Sequence, residues 1–169
     1  KFTTLLRTAM MVAQNDALAA NHQKVTAMHL LRALLADDNV TLRSLVGRAG
    51  GDIDGLSAAL DNSLAAIPAV TGSGADQLQL DIDLARILQA AESEAKTLGD
   101  SFLAVDALLL AMVKSKGEVG RLLSGAGLDA ARVLAAIADM RKGRTADSDA
   151  AEDSYEALSK FTTDVTDAA

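Results

Sequence analysis

"LRSLVGRAGGDIDGLSAAL", residues 42–60, returns as "VGRLLSGAGLDAARVLAAI", residues 119–137, at an offset of 77. Leu45 aligns with Leu122, Ala49 with Ala126, Gly50 with Gly127, Asp52 with Asp129, Ala58 with Ala135 and Ala59 with Ala136. Each copy reads as a short helix that ends at a glycine, free to take the left-handed C-cap conformation, and then an aspartate placed to N-cap the next helix. Working outward, "MHLLRALL" (28–35) returns as "DALLLAMV" (106–113) at an offset of 78. Further out, Leu6, Met10, Ala13 and Ala17 share one helical face, as do Leu84, Leu88, Ala91 and Ala95. Thr26 is placed to cap a helix beginning at Ala27, and "GDSFLAVDALLLAMV" enters its helix near Ala104. Matched segments in the same order define an internal duplication.

The duplication predicts an all-α fold of two tandem four-helix repeats, about residues 2–66 and 80–141, packed in a pseudo-twofold arrangement. Between them runs "IPAVTGSGADQLQL", which holds the only proline, Pro68, and a Thr-Gly-Ser-Gly cluster that cannot continue a helix. Units of this size bury too little surface to be stable alone, so a shared face is expected to hold them together. Hydrophobic residues make up 50% of the chain and aromatics 2%, which points to an aliphatic core between closely spaced helices rather than a sheet.

Charge is segregated. Residues 147–169 carry seven acidic side chains against Lys160, which accounts for six of the seven net negative charges. The body is nearly neutral and has no basic stripe with interleaved aromatics, which argues against nucleic-acid binding. Residues 142–153, "KGRTADSDAAED", lack apolar periodicity and are predicted to be a solvated, flexible linker. No apolar run reaches the roughly 20 residues of a membrane span. With no cysteine there is no disulfide framework and no thiolate chemistry, so a cytoplasmic location is the expectation.

Candidate chemistry is sparse. His22 and His29 are the two histidines; one sits in a polar turn and the other on an apolar helix, and structural or capping roles suit both. No metal-ligand spacing occurs, and the glycine clusters lack the lysine of a phosphate-binding loop. No catalytic residues, metal site or bound cofactor are expected of these residues. Asp100 and Asp106 flank the entry to the sixth helix and are placed to meet in space; charge at a helix N-terminus accounts for them as well as a binding role does.

"KFTTLLRTAMMVAQNDALAANHQKVTAMHLLRALL" (1–35), Gly99-Asp100-Ser101-Phe102 and above all "AEDSYEALSKFTTDVTDAA" (151–169) resemble the amino-terminal domain and first linker of the ClpB family, ATP-driven, ring-forming heat-shock disaggregases. The resemblance covers essentially all of the chain and implies the double Clp repeat. It also implies that residues 154–169 begin a following ATPase module, in which ATP and magnesium would act. The implied function is weak binding of exposed apolar segments of unfolded or aggregated polypeptides for threading by a homo-hexameric ring, in concert with a DnaK-type chaperone system. The fragment itself is expected to be monomeric.

By the same resemblance, Thr3, Asp100 and Asp106 match polar positions implicated in aggregate handling, while Leu88 and Ala107 match positions lining an apolar substrate groove. The family often has Glu where Asp106 stands and a longer side chain where Ala107 stands. In ClpC-type relatives, acidic residues at the equivalents of Met28 and Asp106 bind phosphorylated arginine, and Met28 removes one of that pair. Methionines such as Met10, Met11 and Met28 suit a surface that accepts varied sequences. The alternative reading is an adapter-docking domain of a ClpA- or ClpC-type unfoldase partnered with a protease. Either way, no nucleic acid and no membrane are expected as partners.

Overall fold

The structure, a computed structural model, describes residues 1–36, 40–71 and 77–153. The tail segment 154–169, expected to begin an ATPase module, lies outside the described residues. The described residues include the helices α1 (Thr4–Ala19), α2 (Ala27–Leu34), α3 (Val40–Arg48), α4 (Ile53–Ala65), α5 (Ile82–Thr97), α6 (Val105–Lys114), α7 (Glu118–Gly125) and α8 (Ala130–Arg141), and residues 151–153 are helical as well. Helices α1 to α8 form the two four-helix repeats that the duplication predicts.

The caps fall where the sequence places them. Thr26 accepts from the His29 amide, and Asp52 and Asp129 accept from the Gly55 and Arg132 amides at 3.0 and 2.8 Å. Gly50 and Gly127 have φ of +82° and +89°, a region open to glycine at little cost, and each lets the chain turn sharply into its next helix. These duplicated turns meet each other. The Asp52 amide donates to the Ala126 carbonyl at 3.0 Å, and a Cβ on Gly51 would come within 2.9 Å of a Leu128 methyl.

The repeats exchange backbone as well. The segment β1 (Lys24–Val25), between α1 and α2, pairs in parallel with β2 (Gln79–Leu80), just ahead of α5. Reciprocally Phe2, ahead of α1, bridges Leu103 between α5 and α6. Phe2 and Leu80 are equivalent under the 78-residue offset, as are Val25 and Leu103, so the two pairings are images of one another. α3 packs on α8 and α4 on α7, and exposed polar pairs Arg48 with Asp139 and Ser63 with Glu118 span these contacts.

The core is almost entirely aliphatic, centred on Leu6, Leu30, Leu31, Leu34, Leu84 and Leu108. Two helical faces differ by one position from the periodicity reading. In α1 the buried row is Leu6, Ala9, Ala13 and Ala17, with Met10 half-buried; in α5 it is Leu84, Ile87, Ala91 and Ala95, with Leu88 half-buried. Short alanines let α1 and α5 approach α2 and α6 closely, and that approach selects the i+3 neighbour over i+4.

Segment 142–153 also differs from expectation. Ala146, Ala151 and Glu152 are buried, and residues 146–152 lie against both repeats through the hydrogen bonds described below. A search for apolar periodicity overlooks such a segment, because two alanines and a carboxyl group do the docking.

His22 and His29 form a buried pair, with Nδ1 of His22 2.8 Å from Nε2 of His29. Nδ1 of His29 accepts the Thr26 amide at 3.0 Å and closes a capping box, so both histidines are structural in this arrangement. Burial, then the neighbouring His22 ring, pushes the His29 pKa down to about 4, with Asp16 acting weakly the other way. An unfolded chain therefore takes up this proton more readily than the folded one between pH 6.5 and about 4. The His29 contribution to stability is complete above pH 6.5 and is lost as pH falls to about 4. Thermal melts should show this decline, and His29→Gln should flatten it over that window.

Candidate functional site

Two features stand out: a buried carboxylate cluster at the start of α6 and an open cleft at its far end. Chain geometry builds the cluster. Asp100 follows α5 after Gly99, whose φ of +80° turns the chain, and its amide donates back to the Ala95 carbonyl at 2.8 Å. Asp106 sits in the first turn of α6, and Arg141 ends α8. The Arg141 guanidinium donates from Nε and Nη2 to the two oxygens of Asp106, both at 2.6 Å, and from Nη1 and Nη2 to those of Asp100 at 2.7 and 2.9 Å. The planar fork of arginine fits two carboxylates at once.

Thr3 caps α1, accepting from the Leu6 amide at 3.3 Å, and donates through Oγ1 to Glu152 at 2.7 Å. The same Glu152 oxygen accepts the Val105 amide at 3.1 Å. Burial raises the Glu152 pKa above the usual carboxylate range; the hydrogen bonds from Thr3 and Val105 oppose that shift, and the Asp106 charge adds to it.

Thr3, Asp100 and Asp106 are thus brought together, but inside the molecule. Thr3 and Asp106 are 0% and 2% exposed, and the Asp100 side chain is closed off. As the domain stands they are not a solvent-facing rim, because Arg141 and Glu152 consume their hydrogen-bonding capacity. Ala107 is 0% exposed and lines no open surface. Leu88 is half-buried and packs against the core. Arg141 and Glu152 complete the cluster and carry no local signal in the sequence, one being a lone arginine at a helix end and the other a glutamate in an acidic run.

The cleft, about 280 Å³, lies between α5 and the turn from α6 into α7. Its floor is Ile87, Ala90 and Ala111. Its charged lining is Asp83 and Arg86 on α5, paired with each other at 3.9 Å, and Lys114 and Lys116 on the side of α6 and the turn after it. Gly120 lets α7 seat against that turn, since a Cβ there would lie 1.9 Å from the Ser115 carbonyl oxygen. A smaller pocket of about 20 Å³ shares Asp83, Ile87, Ser115 and Gly117 and extends to Met28 of the first repeat. The cleft is therefore displaced from the expected Leu88 and Ala107 by about one helical position on α5 and one turn on α6.

Among the described residues no cluster of three or more His, Cys, Asp and Glu side chains is arranged to hold a metal ion, and no helix is long and apolar enough to cross a membrane.

A doubled four-helix repeat with a buried carboxylate cluster and an apolar cleft defines a class. The family model for the Clp repeat N-terminal domain matches residues 1–126, and the chain belongs to that family. Within it, the chain is 41% identical over 170 residues to the chaperone protein ClpB of Rhodopseudomonas palustris, and 41% identical over 168 residues to that of Brucella suis. These matches cover 100% and 99% of this chain and 19% of each relative, so the chain spans about a fifth of their length. The crystal structure of the Hsp104 N-terminal domain from Candida albicans superposes with a TM-score of 0.78 at 20% identity, covering 90% of this chain and 99% of that one. The N-domain of ClpV from Vibrio cholerae gives 0.68 at 19% identity over 82% of this chain and 84% of its own. A complex of a ClpV N-domain with a VipB peptide gives 0.66 at 20% identity over 82% and 85%. The structural likenesses bear out the all-α, double-repeat fold, and the 41% identity aligns the chain with about a fifth of the length of ClpB chaperones.

Removing Arg141 leaves Asp100 and Asp106 buried without their counter-charge. Arg141→Met should therefore cost about 3–5 kcal/mol and lower the melting temperature by about 10 °C. Arg32→Ala, which breaks the exposed pair with Asp61, should cost under about 1 kcal/mol. Differential scanning calorimetry of the two variants checks the contrast.

Proposed function

We propose that this domain is the substrate-capture module of a ClpB-type disaggregase, holding exposed apolar segments of unfolded or aggregated polypeptides weakly in the cleft beside Ile87, Ala90 and Ala111. The observation that carries the reading is this open, apolar-floored cleft beside the junction of the repeats. Burial at about 25 cal/mol per Å² makes a contact of a few hundred Å² useful yet reversible once ordering costs are subtracted. Half-buried Met28, which lines the smaller adjoining pocket, adds a side chain that adapts to different partners. Thr3, Asp100 and Asp106 act from behind, holding the start of α6 while its far end faces the substrate; Leu88 and Ala107 stand outside the cleft lining.

In the whole protein, threading would be driven by ATP and magnesium in hexameric ATPase modules beyond this segment, with a DnaK-type partner in the cytoplasm. The ClpB names of the curated relatives support this reading. A second reading, docking of one specific adapter peptide as in a ClpA- or ClpC-type unfoldase, draws its support from the peptide complex of a ClpV N-domain.

Ala90 is exposed, so Ala90→Asp adds a charge to the cleft floor without disturbing the core. Binding of a permanently unfolded model protein should weaken about tenfold or more with an unchanged melt. Leu88→Asp, measured alongside, tests the other side of α5: weaker binding for that variant alone, with its melt preserved, would move the site to Leu88. Full binding by both, with unchanged melts, would remove the cleft from substrate capture.

A further inference from the structure

α6 begins without a cap of its own. Its N-cap residue, Ala104, offers no side-chain acceptor, although the equivalent residue of the first repeat, Thr26, caps α2. A helix start buried in this way leaves amide donors that need partners. One partner arrives from 47 residues further along the chain, where Glu152 accepts the Val105 amide.

The path that brings it there is built into the backbone. Lys142 and Gly143 have φ of 50° and +87°, two successive left-handed residues that reverse the chain at the end of α8. The Ala146 amide then donates to Asp100 Oδ1 at 2.8 Å, and the Ala146 carbonyl accepts the amides of Ser101 and Phe102, both at 2.9 Å. Three residues later the Asp149 carbonyl accepts the Thr4 amide at 2.8 Å, satisfying a donor in the first turn of α1. Three residues further on, Glu152 reaches the Thr3 hydroxyl and the Val105 amide. The anchors at 146, 149 and 152 alternate between the second repeat, the first, and both.

We propose that residues 144–152 are a latched strap, in which the Glu152 carboxyl group, seated between the Thr3 hydroxyl and the Val105 amide, ties the chain leaving α8 to both repeats. The polar residues at the start of α6 hold this strap: Asp100 receives its first anchor, Thr3 its last, and Arg141 sets the two aspartates in place. Release costs the helix caps and would free ten residues, 143–152, a reach of up to about 35 Å when extended. Holding costs the burial of a carboxyl group beside Asp106. Opposed terms of this kind make the strap a contact that opens locally, separately from the core.

Amide hydrogen exchange on the 169-residue chain tests the latch. Glu152→Ala should speed exchange at Thr4, Ser101, Phe102 and Val105 by about tenfold or more, with mid-helix amides such as Ala111 and Ile137 unchanged. Thr3→Val should do the same from the other side of the hydrogen bond. Glu152→Gln keeps an acceptor oxygen for both donors and should stay within about twofold of the parent chain. Unchanged exchange in Glu152→Ala overturns the proposal. So does acceleration that extends equally to Ala111 and Ile137, which would make Glu152 part of the global core. A Gln variant as loose as the Ala variant overturns the hydrogen-bonded latch.

Discussion

Neither repeat satisfies its own backbone. The short segment after α1 finds its hydrogen-bonding partner ahead of α5, and the segment after α5 finds its partner ahead of α1. Each half therefore has polar groups that only the other half can meet, and unmet groups of this kind are costly when buried. Two units of some 65 residues, each too small to bury an adequate core, become one body through this exchange. The duplicated glycine turns complete the junction at the opposite end, where the Asp52 amide meets the Ala126 carbonyl. The junction also places Met28 of one repeat beside Ile87 and Gly117 of the other, which is how an open cleft comes to lie against the seam.

The duplication is most informative where it fails. Under the 78-residue offset His22 corresponds to Asp100, Thr26 to Ala104, Met28 to Asp106 and His29 to Ala107. Both halves need polar groups there, because each carries a loop that must turn back and start a buried helix. The first repeat meets the need locally, with Thr26 and His29 in a capping box and His22 against the His29 ring. The second meets it with distant residues: Arg141 from the end of α8 and Glu152 from beyond it. Local closure isolates the first repeat from the chain that follows. Distant closure makes the second depend on it.

That difference also explains what was legible in the sequence. The fold was, since repeated helices, glycine turns and aspartate caps are signals that act over a few residues. Asp100 and Asp106 are legible as neighbours because they flank one helix entry. Glu152 is not legible, since its hydrogen bond to Thr3 joins residues 149 apart and "AED" in an acidic run reads as solvated. The displacement of the cleft from Leu88 and Ala107 has a similar origin. Periodicity assigns a helix its apolar stripe to within one position, while the choice between Ile87 and Leu88 rests on how closely alanine lets α5 approach α6. Ala107 itself has too small a side chain to reach beyond the packed interface.

α6 then links the two features of the domain. Its first turn is held by Asp106, Arg141 and the Glu152 oxygen, and its last turns, with Ala111 and Lys114, line the cleft. A ten-residue helix is stiff and about 15 Å long, so a displacement at either end is carried to the other rather than absorbed. The interior between is close-packed aliphatic side chain, Leu108 and Leu109 among them, which leaves little slack for bending. Residues that never face solvent can therefore bear on a surface one helix length away. In the proposed mode of binding, Thr3, Asp100 and Asp106 would need no contact with a polypeptide to influence how it is held; they would need only to fix the end of the rod whose other end lines the cleft.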